Sequence, residues 1–196
     1  MVTHPAHVRM KTTDFIDLLP YAERLESRPR GSVDLVVIHC TELPDLVAAR
    51  ELGERILYTE SGTGNSGHFY LEEDGTVHQW VPIDRAAHHV RGYNERSLGI
   101  ELCNPGRYPD WYDSRNQHMK HPYSAAQVDR LVQLLQELTS ILPGLRHISG
   151  HQHLDGERIA ASDDPAMKIR RKCDPGPLFP WPEVLSATRL QFFEPD

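Results

Sequence analysis

Residues 150–181 read GHQHLDGERIAASDDPAMKIRRKCDPGPLFPW, and the rest of the chain is interpreted around this stretch. His151 follows an apolar run, and Asp174 precedes Pro175 on a proline-stiffened, otherwise loop-like segment. Far upstream, His39 lies near the end of the most apolar strand-like run, VDLVVIHC at 33–40. Two imidazoles and one carboxylate that leave a fourth position open form the ligand set of a catalytic zinc site. The sequence therefore predicts a zinc site made by His39, His151 and Asp174.

Other residues near these positions leave alternatives open. Cys173 is an alternative to Asp174 as a metal ligand, because a register change of one residue would exchange the two side chains. His153 is either an alternative metal ligand or a residue that contacts the ligands without binding the metal. Cys40 ranks below its neighbour His39, since adjacent residues of an extended chain point in opposite directions. Taken singly, each predicted ligand also has a plainer interpretation as a packed core histidine or a turn-bracing aspartate.

Glu101 is a carboxylate in the middle of the apolar strand LGIEL at 98–102. Burying such a group costs several kcal/mol unless it has a partner. One interpretation is an ion pair with an arginine such as Arg96, and the other is a carboxylate held near a metal-bound water. The alternation of side chains along a strand places Cys103 on the same face as Glu101, so we expect this thiol to border the site.

The length and net charge of the chain argue against some classes of function. The chain has 196 residues, enough for one domain, and a net charge of −7, which argues against nucleic acid as a partner. No apolar stretch is long enough to span a bilayer, and the first residues lack the pattern of a signal peptide. Three cysteines without a close pair suit a reducing compartment. We expect a cytoplasmic monomer with no membrane partner; release by lysis or signal-free secretion is the alternative.

Hydrophobic periodicity predicts an α/β fold in a single domain, with a mixed β-sheet and α-helices on its faces. The predicted strands are 33–39, the hairpin 68–72 and 76–81, 98–103 and 145–149. The predicted helices are a short one at 14–19, then 44–58 capped by Asp45, 124–142 with a Ser124–Gln127 capping box, and one that begins near Trp181. Residues 1–30 are interpreted as an extension packed on the domain, 31–190 as the domain, and 191–196 as a tail. The long loop 104–123, with Tyr108, Trp111 and Tyr112, is predicted to form a groove wall.

Several motifs occur in an order that resembles a known family. They are VVIHCTE (36–42), HFYLEEDGTVHQWVPIDRAAHH (68–89), NERSLGIEL (94–102), GHQHLDGERI (150–159) and RKCDPGPLFPW (171–181). The chain resembles the zinc-dependent N-acetylmuramoyl-L-alanine amidases of type 2, which share their fold with peptidoglycan recognition proteins and T7-type lysozymes. The resemblance covers roughly residues 33–181. It implies a central mixed β-sheet flanked by α-helices, in a single domain with a zinc site in a surface groove. It also implies hydrolysis of the amide bond between N-acetylmuramic acid and L-alanine in peptidoglycan or its anhydro-muropeptide fragments.

The resemblance also implies roles for individual residues. The metal ligands would be His39, His151 and Asp174, the catalytic residues Glu101 and Lys172, and the substrate-binding residues His89, Asn94 and Arg96. Glu101 would act as the base, and Lys172 would offset charge on the tetrahedral oxygen. The alternative is a non-catalytic binder of peptidoglycan fragments, whose usual mark is the loss of a metal ligand. Recycling of soluble fragments and lysis of intact wall both remain open, and the first is favoured.

Overall fold

The predicted mixed sheet is present in the computed structural model, which describes residues 10–195. Its seven strands are β1 (Phe15–Ile16), β2 (Leu35–Cys40), β3 (Phe69–Leu71), β4 (Val77–Gln79), β5 (Ser97–Leu102), β6 (His147–Gly150) and β9 (Gln191–Phe192). They lie in the order β1-β4-β3-β5-β2-β6-β9, and every pair is parallel except β3 with β4. A separate antiparallel hairpin consists of β7 (Arg158–Ala160) and β8 (Lys168–Arg170).

Within the described part of the chain, four α-helices accompany the sheet: α1 (Leu46–Gly53), α2 (Ala125–Ile141), α3 (His151–Leu154) and α4 (Trp181–Ala187). Ser124 caps α2, because its side chain accepts a hydrogen bond from the backbone N–H of Gln127. The Gln127 side chain does not return the bond as a capping box would; it donates to the carbonyls of Leu71 and Cys103 and so fastens α2 to the sheet. The apolar stripe of α2 is buried against one face of the sheet, as its periodicity predicts.

Strand alternation decides which side chains face the site. On β2, Val36 and Ile38 join the core under α2, whereas Leu35 and Val37 pack on the opposite face with Val90. His39 follows this second set, so it lies on the face away from α2. On β5, Leu98, Ile100 and Leu102 likewise belong to the α2 core. Ser97, Gly99 and Glu101 therefore share the face of His39.

Three predictions about local structure are wrong. Residues 14–19 form no helix, because Asp14, Asp17 and Leu19 donate backbone hydrogen bonds to β4 and its end, and this pairing covers the sheet edge. The helix predicted for 44–58 ends at Gly53, since the chain then turns back and Tyr58 bridges Thr63. The stretch 150–181 is not all loop; it contains α3 and the β7–β8 hairpin.

Both ends of the described chain contribute strands to the sheet. β1 extends it beside β4, and β9 pairs with β6, so the residues assigned to an extension and a tail add to the domain's own sheet. Residues 1–9 of the predicted extension and Asp196 of the predicted tail lie outside the described residues. Within residues 10–195, no helix has the length and apolar character needed to cross a membrane.

Candidate metal centre and active-site groove

The three predicted metal ligands meet at the carboxyl edge of the sheet. Nδ1 of His39 and Nδ1 of His151 lie 3.0 and 3.1 Å from the same oxygen of Asp174, Oδ2. One ligand atom from each residue can be chosen so that all lie within 4.8 Å of one another, and all three side chains are buried. His39 comes from the end of β2, and His151 begins α3 immediately after β6, the neighbouring parallel strand. The backbone N–H of Gln152 donates to the carbonyl of Asp174 and holds its loop beside α3.

The chemistry of this cluster fits a bound cation. The second oxygen of Asp174, Oδ1, is buried and has no hydrogen-bond partner among the described residues. Burial acts to raise the pKa of Asp174, but His151 and His39 outweigh it and hold that pKa well below its usual range. Burial also lowers the pKa of His39 to about 4, so its imidazole is neutral and keeps a lone pair. A carboxylate and neutral imidazoles are the forms in which these residues bind metals.

His89 forms a hydrogen bond with the ring nitrogen of His39 that does not face Asp174. Its Nδ1 lies 3.0 Å from Nε2 of His39, and its Nε2 lies 3.2 Å from Oγ of Ser97. When His39 offers Nδ1 to a metal, its proton resides on Nε2 and is donated to His89; His89 then donates to Ser97, which donates to the carbonyl of Tyr93 at 2.7 Å. Every donor in this series of hydrogen bonds has one acceptor, so the series fixes the tautomer of His39.

Gly99 makes room for this arrangement. A Cβ atom at Gly99 would lie 2.6 Å from the ring of His89. Real Cβ atoms essentially never approach other atoms so closely, and the ring is held between His39 and Ser97. The glycine in the LGIEL motif is therefore needed to leave room for the His89 ring, a requirement that the sequence alone did not reveal.

Glu101 is paired with His39 across β2 and β5, and its Oε1 lies 3.9 Å from Nδ1 of that imidazole. Gly67 lies against it, and a Cβ there would be 2.8 Å from Cγ of Glu101. Burial, assisted by the charge of Asp174, raises the pKa of Glu101 to about 8, while the ammonium group of Lys172 acts in the opposite direction. The carboxyl group can therefore hold or release a proton near neutral pH.

The cluster opens into a groove of ≈ 610 Å³. It is lined by the cluster itself together with Glu101 and Lys172. It is also lined by α1 and the segments around 57–66 and 88–94, including Leu52, Tyr58 and Asn65. No pattern in the sequence marks the segments around 57–66 and 88–94 as part of this groove. The exposure of Leu52 and Tyr58 is a property of the folded surface that no local pattern indicates.

The three residues assigned to substrate binding lie in different places. His89 and Asn94 line the groove, and the side-chain oxygen of Asn94 accepts hydrogen bonds from the backbone N–H groups of His89 and Val90. Arg96 is not among the residues that line it. It precedes β5 at the opposite end of the strand and forms an ion pair with Asp34. This pair also excludes Arg96 as the ion-pair partner of Glu101.

The alternative ligands are separated from the cluster. The Cys173 thiol is 4.0 Å from the side-chain oxygen of Gln117, and the His153 ring packs on Trp181 and Phe192. Cys40 lines the groove, whereas Cys103 does not. The predicted groove wall in loop 104–123 is also absent, because none of Tyr108, Trp111 and Tyr112 lines the groove. The loop instead packs behind the segment that carries Lys172 and Asp174, where Arg107 donates hydrogen bonds to the carbonyls of Arg170 and Arg171.

Comparison with curated proteins identifies relatives. Over 116 residues the chain is 32% identical to N-acetylmuramoyl-L-alanine amidase AmiD of Escherichia coli K12, a match that covers 55% of this chain and 36% of AmiD. It is 32% identical over 120 residues to 1,6-anhydro-N-acetylmuramyl-L-alanine amidase AmpD of Enterobacter cloacae, covering 57% of this chain and 50% of AmpD. The chain thus matches half or less of the length of these two relatives.

Solved structures share the fold. Amidase LysC from Clostridium intestinale superposes with a TM-score of 0.62 at 18% identity, covering 90% of this chain and 97% of LysC. AmiD from E. coli, in complex with anhydro-N-acetylmuramic acid-L-Ala-D-γ-Glu-L-Lys, gives 0.59 at 22% identity, covering 82% and 58%. The family model described as N-acetylmuramoyl-L-alanine amidase, Amidase_2, matches residues 29–177. That match includes both histidines, the aspartate and the strands that hold them, and the chain belongs to this family.

Proposed function

We propose that this chain is a zinc-dependent amidase that hydrolyses the bond between N-acetylmuramic acid and L-alanine. The observation that carries the proposal is the convergence of His39 and His151 on Asp174, with Glu101 beside them in an open groove. A non-catalytic binder of the same fold would have no need for a carboxyl group so close to the ligand cluster. The presence of Glu101 there favours an enzyme.

The residues of the groove have separate tasks in this reaction. Zinc held by His39, His151 and Asp174 would polarise the scissile carbonyl and acidify the attacking water. Glu101 takes the proton of that water and delivers it to the leaving amine, as a carboxyl group that can hold or release a proton near neutral pH is able to do. Lys172, which lines the same groove, offsets the negative charge that develops on the carbonyl oxygen.

We propose soluble anhydro-muropeptides as the substrates. The AmpD relatives are named for 1,6-anhydro-N-acetylmuramyl-L-alanine, and AmiD has been solved with an anhydro-muropeptide. We further propose that the chain acts as a monomer in the cytoplasm. Its three cysteines, Cys40, Cys103 and Cys173, are all free thiols, which suits a reducing compartment.

The test combines metal analysis with an activity assay. The purified chain is analysed for bound metal and assayed on a defined anhydro-muropeptide and on intact sacculi, before and after a chelator. We expect about one zinc per chain, and activity on the soluble fragment that chelation removes and zinc restores. Zinc without cleavage of either substrate would indicate a binding protein. Cleavage of sacculi in preference to the fragment would contradict the role in recycling.

A further inference from the structure

Arg107 is a buried arginine to which the proposed reaction gives no task. Its side chain is 1% exposed. Nε and Nη2 donate to the two oxygens of Glu42 at 2.6 and 2.8 Å, and Nη1 donates to the side-chain oxygen of Gln117 at 3.1 Å. A paired, planar fork of this kind fixes the relative orientation of the groups that it joins.

The same guanidinium group holds the segment that carries two predicted site residues. Nη1 donates to the carbonyl of Arg170 at 3.3 Å, and Nη2 donates to the carbonyl of Arg171 at 3.2 Å. Lys172 and Asp174 follow immediately. The backbone just before these residues is therefore attached to Arg107, in addition to the bond between Gln152 and Asp174 on the other side.

Glu42 connects the guanidinium to the strand that carries the first ligand. It lies three residues after His39, just beyond β2, and its φ of 49° is in the left-handed region that non-glycine residues rarely occupy. Such a conformation persists only where surrounding contacts determine it. Here Trp111 donates to the Glu42 carbonyl at 2.8 Å, and the backbone N–H of Arg107 donates to its carboxylate at 3.3 Å.

Stability alone does not account for this pair. Apolar residues of similar volume often replace a buried ion pair with no loss of stability. What they cannot supply is a rigid bridge between two segments. His39 and Asp174 are 135 residues apart in the sequence, so their ligand atoms must be brought together by contacts such as these. Residues behind the ligands commonly set metal affinity for this reason.

We propose that the Arg107–Glu42 pair is a positioning device that fixes the Lys172–Asp174 segment against the end of β2 and thereby sets the affinity of the site for zinc. The inference rests on the proposed function in taking zinc as the metal. Arg107 acts through Asp174 and Lys172 and is a positioning residue.

The test measures the zinc dissociation constant of the full chain by competition with a chelating dye, together with thermal unfolding of the metal-free protein. The variants are Arg107→Lys, Arg107→Met and the double variant Glu42→Leu/Arg107→Met. Arg130→Met is the matched control, because Arg130 also donates to two carbonyls, those of Gly75 and Thr12, and to a carboxylate, Asp14, away from the groove.

We expect Arg107→Met to weaken zinc binding about 10-fold or more, with a smaller loss in Arg107→Lys, which keeps the charge without the fork. The double variant leaves no unpaired buried charge and should fold, yet it should still bind zinc weakly, because the bridge is gone. The control should lower the unfolding temperature without changing zinc affinity.

Normal zinc affinity in the folded double variant would overturn the proposal, because it would show that only the unpaired charge matters. A loss in Arg130→Met as large as that in the double variant would also overturn it. The proposed function fails independently: wild-type chain that binds zinc but cleaves no muropeptide contradicts the amidase, whereas an active wild type with unaffected Arg107 variants contradicts only this inference.

Discussion

His39 on β2 and Glu101 on β5 are direct neighbours in the parallel ladder, with Nδ1 of the imidazole 3.9 Å from Oε1 of the carboxyl group. The relationship follows from register: the strands pair from Leu35 with Ser97 through to Cys40 with Leu102. Two residues that are 62 positions apart in the sequence therefore present an imidazole of the candidate metal cluster and a carboxyl group on the same face, because paired residues of neighbouring strands have side chains on the same side of the sheet.

This placement predicts that Glu101→Gln loses turnover and keeps metal. The amide has nearly the same shape but cannot accept the proton of the attacking water, so kcat should fall about 100-fold or more. Zinc content and kcat on a muropeptide are the measurements. Glu72→Gln is the control, since Glu72 bonds the partly buried residue His78 outside the groove. A kcat within a few-fold of wild type would remove Glu101 from the mechanism.

Lys172→Met should also lower kcat, by about 100-fold, because the charge opposite the developing oxyanion is lost. KM should change much less, since the interaction strengthens only in the transition state. Lys168→Met is the matched control, as Lys168 is an exposed lysine on β8 of the same segment. Equal effects of the two substitutions would indicate a general loss of positive charge and would contradict a specific role for Lys172.

Zinc should stabilise the fold, because the ligand set is assembled only in the native state. Free zinc at about 100 times its dissociation constant adds about 2.7 kcal/mol to the free energy of unfolding. Denaturant titrations with zinc and with a chelator measure the difference. His151→Ala, which removes one ligand, should show little of this effect. An equal zinc effect in both proteins would place the binding elsewhere.

Gly99→Ala should disturb the support of His39. The added methyl group would lie 2.6 Å from the His89 ring, which is held on both sides by hydrogen bonds. We expect a loss of about 1–3 kcal/mol in the free energy of unfolding, as for other overpacked sites, together with weaker zinc binding. Gly156→Ala is the control, because its Cβ would meet nothing within 4 Å. If Gly99→Ala bound zinc normally, the hydrogen-bond chain through His89 would not govern the ligand.

The hydrogen bonds of Glu137 predict that the attachment of the N-terminal segment to α2 depends on pH. Burial acts to raise its pKa, but hydrogen bonds from the hydroxyl and backbone of Thr12 and from the backbone of Lys11 outweigh this and lower it. A lowered pKa in the folded state means stability that is present above the unfolded value of 4.5 and is lost as the pH falls through the folded value.

The measurement compares wild type with Glu137→Gln across pH. At neutral pH the variant should have a lower free energy of unfolding, and the difference should shrink as the pH falls below 4.5. Glu183→Gln, in the first turn of α4, tests whether any helix carboxylate behaves in this way. A difference between wild type and Glu137→Gln that stays constant down to acid pH would contradict the ionic attachment.

Local patterns in the sequence determined a large part of this protein. The apolar run around Val36 predicts a buried strand, and the stripe from Val128 to Leu142 predicts α2, since each pattern reports one element's own burial. The motifs around His39, His151 and Asp174 predicted the residues that the structure brings together. The edge segment at 14–19 was predicted wrongly, because its structure is decided by pairing with β4 and not by its own periodicity.

Only the tertiary structure decided how these elements meet. Arg96 pairs with Asp34 at the far end of the sheet, His89 lies over Gly99, and Arg107 joins Glu42 to the segment before Lys172. Each of these contacts joins residues whose partners cannot be read from spacing along the chain. Periodicity reveals which face of an element is buried, whereas the register between strands and the paths of loops decide which polar groups meet there.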